Sequence, residues 1–198
     1  AARGDCVTTY WDWRPRSKPE GYWQLFDGTA PTHHLYGLRA ALDMIKDEGL
    51  ENVHARHETL ANAIWAALEA WSTVGPLRLN IADRDRRSMA VTSVYIGEGN
   101  GDALRNWCEH EAGLTLGIGL GREPASAYFR IGHMGHVNAH MIMGVLGTMQ
   151  AGMLALGIPH GAGALDAAAT VMAGSNSTLG ATAANQIGNA KVQRQCCE

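Results

Sequence analysis

The chain has 198 residues, 46% of them hydrophobic and 18% charged. That length predicts one domain, or one with a sizeable appendage, and the composition excludes the disordered and fibrous classes. With 16 basic and 19 acidic residues the net charge is -3, which offers no electrostatic footprint for nucleic acid or an anionic membrane.

The four cysteines, Cys6, Cys108, Cys196 and Cys197, form no CxxC pair and suit a reducing compartment. No run approaches the ~18 apolar residues of a membrane span. Arg3 and Asp5 stand where a signal peptide would carry its apolar core. The expectation is a cytoplasmic protein with no membrane and no nucleic-acid partner. The first segment has no start signal for an element of its own and opens at Ala1, as a piece of a longer protein would.

In chain order, Ala1 to Gly28 is rich in aromatics and turn formers, Tyr10-Trp11-Asp12-Trp13-Arg14-Pro15-Arg16 above all, and reads as loop. Leu35, Leu38, Leu42 and Ile45 then recur at helical spacing up to Glu48. After Gly49 the period restarts with Leu50, Val53, His57, Leu60, Ile64, Leu68 and Trp71. Two long helices are predicted. Alternation at Leu77, Leu79 and Ile81 and the β-branched run Val91 to Ile96 predict two strands around the charged turn Asp83 to Arg87. A helix over Asp102 to Ala112 follows, then short strands at Leu114 to Ile118 and Ala127 to Ile131. Helices at Val137 to Leu156, with a stripe of Met141, Val145, Met149 and Met153, and at Ala162 to Ala173 complete an α/β sandwich with a small, mostly antiparallel sheet. Gly174 to Glu198 loses aromatics and periodicity and reads as a polar, poorly ordered tail.

Two residues carry candidate chemistry. Arg130 places a permanent charge inside the apolar strand Tyr128-Phe129-Arg130-Ile131, next to Gly132. It is either a fork that grips a ligand carboxylate or an edge-strand arginine facing water or an internal acid. Thr29, just ahead of the first long helix, is either an anion site built with the helix N-terminus or an ordinary cap. There is no GxxxxGK[ST] loop, and Gly117-Ile118-Gly119-Leu120-Gly121 lacks the dinucleotide spacing, so nucleotide readings fail. His136 and His140 lie one helical turn apart but no Cys or carboxylate completes a set, so no metal site is expected. Met141, Met143, Met149 and Met153 read as core filler.

An ordered set of motifs gives the chain a resemblance. Tyr10-Trp11-Asp12-Trp13, Gly28-Thr29-Ala30-Pro31-Thr32-His33-His34-Leu35-Tyr36-Gly37-Leu38-Arg39-Ala40-Ala41-Leu42, Gly49-Leu50-Glu51, Gly117 to Gly121, and Phe129-Arg130-Ile131-Gly132-His133-Met134-Gly135 follow one another. Over Ala1 to Ala173 the chain resembles the C-terminal half of a class V pyridoxal-phosphate-dependent aminotransferase. It is most like the serine-glyoxylate branch, with alanine-glyoxylate and serine-pyruvate enzymes near it. The resemblance implies a fold-type-I α/β enzyme, of which this chain is the end of the large domain plus the small C-terminal α/β domain. The implied organisation is 1-48 for the end of the large domain, with an interface loop and the start of a linking helix, 49-173 for the small domain and 174-198 for the tail.

The implied activity is amino-group transfer from serine or alanine to glyoxylate, with small amino acids and 2-oxo acids as partners and a homodimer as the full-length assembly. Thr29 would reach the cofactor phosphate across the dimer interface, and Arg130 would bind the substrate carboxylate. Phe26 stands where the family often has a Tyr that also reaches the phosphate. The chain has Lys18, Lys46 and Lys191, none in the family's lysine motif. The resemblance therefore implies that no catalytic residue lies in this chain, that the Schiff-base lysine falls before Ala1, and that the chain alone is inactive. The other class of reading is a non-catalytic α/β assembly or binding module derived from that family.

Overall fold

A computed structural model describes residues 8-26 and 28-174; the expected polar tail, from residue 175 onward, lies outside them. The chain divides into two compact units, residues 1-47 and residues 48-198.

In the first unit the expected loop contains three short helical turns, Thr9–Trp11, Arg14–Ser17 (α1) and Tyr22–Leu25. Local side-chain bonds hold these turns in place of a loop. The Asp12 carboxylate accepts from the Arg14 backbone N-H at 3.1 Å and from its guanidinium at 2.8 and 2.7 Å, and Pro15 presets φ inside the turn. Helix α2, Thr32–Glu48, follows the predicted span and buries none of its residues.

The second unit begins with helix α3, Leu50–Trp71. Its predicted stripe is buried from Leu60 onward: Leu60, Ile64, Leu68 and Trp71 are fully enclosed, while Leu50 is exposed. Ala61, Ala63 and Ala67 are enclosed as well, and their small side chains let neighbouring elements approach α3 on more than one side. The strands are β1 (Arg78–Leu79), β2 (Val91–Tyr95), β3 (Gly117–Ile118) and β4 (Tyr128–Gly132). They form one antiparallel sheet in the order β1-β2-β4-β3. Two predicted strands are shortened to two residues each, at Arg78–Leu79 and Gly117–Ile118. Leu77 and Leu116 are buried just before them without joining the ladder, so apolar burial rather than pairing produced their sequence pattern.

Helices α4 (Asn100–Ala112), α5 (Ala139–Ala155) and α6 (Ala164–Gly174) complete the unit. The core joins Leu104 and Cys108 of α4, Ile142, Leu146, Met149 and Met153 of α5, and Ala164 and Ala168 of α6 to α3 and to Val94, Phe129 and Ile131 of the sheet. Each large enclosed side chain contributes about 1.5 to 3 kcal/mol against the entropy of ordering it. The expected α5 stripe is corrected at one end. Met141 is exposed, and the buried row starts at Ile142 and runs through Leu146. Strict four-residue steps drift around a helix of 3.6 residues per turn, whereas steps of four, three and four hold one face. The sheet thus has one face in the core, carrying Thr92, Val94, Phe129 and Ile131, and an opposite face carrying Ser93, Tyr95, Tyr128 and Arg130, which are only half-buried.

Candidate active site

Arg130 sits on that second face, in a strand paired on both sides. Ser93 lies opposite it on β2 and Gly117 opposite it on β3. The edge-strand alternative is therefore corrected: β3 covers the flank that would have faced water. The neighbours are small for a reason. A Cβ built on Gly117 would meet the Arg130 Cβ at 3.2 Å and its Nε at 3.5 Å, so glycine lets the arginine side chain lie across β3. Nε donates to the Ile118 carbonyl at 2.7 Å, which fixes the plane of the guanidinium. Among the described residues no carboxylate pairs with it. A half-buried guanidinium held through Nε, with both terminal nitrogens left over, has the donor pattern for a bidentate carboxylate.

Further along the same face the Arg78 Cζ lies 4.0 Å from the centre of the Tyr95 ring, and Tyr95 meets Tyr128 edge to face at 5.1 Å. These contacts pin the ring on the Arg130 strand that precedes it on this face.

Thr29 is exposed and lies in the first unit. It lines a cavity with Tyr22, Trp23, Gly28, Ala30 and Thr32. The helix-cap alternative is corrected. The first helical acceptor is the Pro31 carbonyl, which takes the Leu35 N-H at 3.0 Å, so Thr29 stands two residues outside the cap position and its hydroxyl caps nothing. With the N-H groups of His33 and His34 lacking helical acceptors at the start of a 17-residue helix, the donors here suit an anion such as phosphate. Thr29 and Arg130 belong to different units.

Sequence reasoning missed the polar supports behind β4. Thr92, facing the core, accepts the Trp65 indole N-H at 3.0 Å and shares a hydrogen bond with His133 Nε2 at 2.9 Å. His133 is fully buried, and burial lowers its pKa below the ordinary histidine value, so the ring is held neutral. Trp65 is capped from outside by Arg84 and Arg87, whose guanidinium carbons lie 5.4 and 5.3 Å from its ring centre.

Beside them Arg56, 5% exposed, binds both oxygens of Glu48 at 2.6 and 2.9 Å. It also donates to the carbonyls of Gly135 and Val137 at 3.1 and 2.7 Å. Hydrogen bonding from Arg56 holds the Glu48 carboxyl below the usual carboxylate range against the opposing effect of burial. No periodicity marks Arg56, because its carbonyl partners are distant in the chain. Among the described residues no group of three or more metal-ligating side chains comes together. No described helix is long and apolar enough to cross a membrane.

An α/β unit that presents Arg130 on the half-buried face of a small antiparallel sheet has counterparts among known proteins. The family described as Aminotransferase class-V matches residues 12–141. The serine-glyoxylate aminotransferase of Arabidopsis thaliana is 35% identical over 156 residues, 77% of this chain and 37% of the relative. That of Hyphomicrobium methylovorum is 33% identical over 159 residues, 80% of this chain and 38% of the relative. Among solved structures, ureidoglycine-glyoxylate aminotransferase from Bacillus subtilis superposes with a TM-score of 0.72 at 28% identity, covering 84% of this chain and 42% of that one. The chain belongs to the class V aminotransferases, and it spans about 37% of the length of the curated relatives it matches. The expected family and α/β fold both stand.

Proposed function

We propose that this chain is the carboxylate-binding portion of a pyridoxal-phosphate-dependent aminotransferase of the serine-glyoxylate type. It comprises the end of the large domain, 1-48, and the small C-terminal domain, 49-173. The observation that carries the reading is Arg130: a guanidinium fixed through Nε on a doubly paired strand, bedded between Ser93 and Gly117, with no acid of its own among the described residues. Amino acids and 2-oxo acids share one carboxylate and differ beyond it, so a single aimed fork serves both half-reactions.

Pyridoxal phosphate, when bound, supplies the electron sink through which an amino group leaves one carbon skeleton for another. Thr29 would hold its phosphate through the free hydroxyl, as part of a neighbouring subunit's site in a homodimer. Arg130 orients the substrate by its carboxylate and keeps the α-carbon in register. Glyoxylate as acceptor rests on the names of the relatives, which share it while their donors differ. The test is turnover of the whole protein that contains this chain, loaded with cofactor. Glycine should form from glyoxylate with serine or alanine as donor. Absence of transfer from every donor, with cofactor bound, would leave the non-catalytic assembly module as the reading.

A further inference from the structure

The segment that follows Arg130 is held by a set of contacts that its own sequence does not require. Gly135, at φ +87, offers its carbonyl to Arg56 Nη1 and its N-H to His57 Nε2 at 3.0 Å. The Val137 carbonyl takes a second bond from Arg56 Nη1 at 2.7 Å. The other ends of both side chains are tied down as well, Arg56 to both Glu48 oxygens and His57 Nδ1 to the Val53 carbonyl at 2.7 Å. Meanwhile β3 reaches only as far as the position opposite Arg130. Beyond it β4 is paired on the β2 side alone, through Gly132 opposite Val91 and the His133 N-H on the Ala90 carbonyl at 2.9 Å. The exit of the strand therefore depends on α3 for its second anchor.

We propose that Arg56 and His57 are positioning residues for Arg130, clamping Gly135 and Val137 so that the end of β4 presents the guanidinium at a fixed height above the sheet. The inference rests on the carboxylate reading of Arg130. Arginine suits the clamp because its planar fork serves a carboxylate and two carbonyls together, which a lysine point charge cannot.

The His57 half of the clamp exists in one protonation state. A backbone N-H can only donate, so Nε2 must be unprotonated to accept from Gly135, and the ring's one proton sits on Nδ1, directed at Val53. Protonating the ring removes that acceptor. The charged and titratable groups around it are Glu48 at the end of α2, Arg56 on α3, and His133 and His136 on the clamped segment. Arg56 holds Glu48 ionised, and burial disfavours the charged form of His133.

The test uses the cofactor-loaded whole protein and two readouts. Amide hydrogen exchange over residues 132-137 should accelerate at least tenfold in Arg56→Lys, with exchange across the buried part of α3 unchanged. Competitive inhibition by propionate, a carboxylate with no amino or keto group, should weaken about tenfold with little change in kcat. In the unaltered protein propionate binding should weaken several-fold between pH 7.5 and 5.5. In His57→Gln, whose amide oxygen accepts from Gly135 without titrating, that acid-side weakening should disappear. Its persistence in His57→Gln would overturn the role of His57. Should Arg56→Lys fail to fold, the His57→Gln profile decides alone. If Arg130→Lys weakens propionate binding while neither clamp variant alters binding or exchange, the inference falls and the carboxylate reading survives. If Arg130→Lys leaves propionate binding intact, that reading falls, and this inference with it.

Discussion

Thr92→Val removes one hydroxyl and keeps the shape, and it strikes two partners at once. The Trp65 indole N-H at 3.0 Å and His133 Nε2 at 2.9 Å share that oxygen, and Trp65, Thr92 and His133 are all buried, so neither group can turn to water. An unpaired buried donor or acceptor costs about 1 to 3 kcal/mol, so the pair predicts a loss of about 2 to 5 kcal/mol, with the added methyl returning only a fraction of it. For a chain of this size each kcal/mol moves the thermal midpoint by about 2 to 4 °C. Differential scanning calorimetry on the full chain should therefore show Thr92→Val falling by roughly 4 to 20 °C, with Thr92→Ser, which keeps the oxygen, falling much less. A drop within 2 °C of that of Thr92→Ser would refute the shared-hydroxyl account.

Further outcomes follow from the same geometry. Gly101→Ala should destabilise the fold by several kcal/mol in chemical denaturation, because a Cβ there would stand 2.7 Å from the Ser126 carbonyl and the Tyr128 N, backbone atoms that cannot move aside; a change under about 0.5 kcal/mol would show that α4 does not press on β4. His133 has a lowered pKa in the folded state, so the unfolded chain binds the extra proton and stability falls as pH drops through the unfolded value near 6.5, by up to about 1.4 kcal/mol per pH unit. His133→Gln should flatten that acid limb in pH-dependent urea melts, and an unaltered slope would place the titration elsewhere. Thr29→Val in the whole protein should weaken cofactor retention by about 1 to 3 kcal/mol, with activity restored by excess cofactor, and an unchanged dissociation constant would remove Thr29 from the phosphate.

The elements with long, one-sided apolar periods are legible in the sequence. The α3 stripe from Leu60 to Trp71 faces the core as its spacing requires, and the alternation of Tyr128, Phe129, Arg130 and Ile131 is enough by itself to place Arg130 on the face away from Phe129. What escapes the sequence is non-local. Whether Arg130 lies on an edge depends on where β3 pairs, and the Leu114 to Ile118 pattern predicts a strand without naming its neighbour. The Arg56 clamp joins residues 79 and 81 positions apart, and an arginine on a helix looks the same in sequence whether it meets water or two backbone carbonyls. The short helix at Arg14–Ser17 is the opposite case. Its Asp12 and Pro15 signals are present, but the aromatics around them give the segment the look of a loop.

If Arg130 grips the substrate carboxylate as proposed, Michaelis constants in Arg130→Lys will show it. Lysine keeps the charge and loses the fork, so in the whole protein the constants for serine, alanine and glyoxylate should all rise by a common factor. A desolvated site corresponds to about 2 to 5 kcal/mol, roughly 30-fold or more at 1.4 kcal/mol per decade. Cofactor affinity should stay unchanged. Unaltered Michaelis constants for all three substrates would contradict the account.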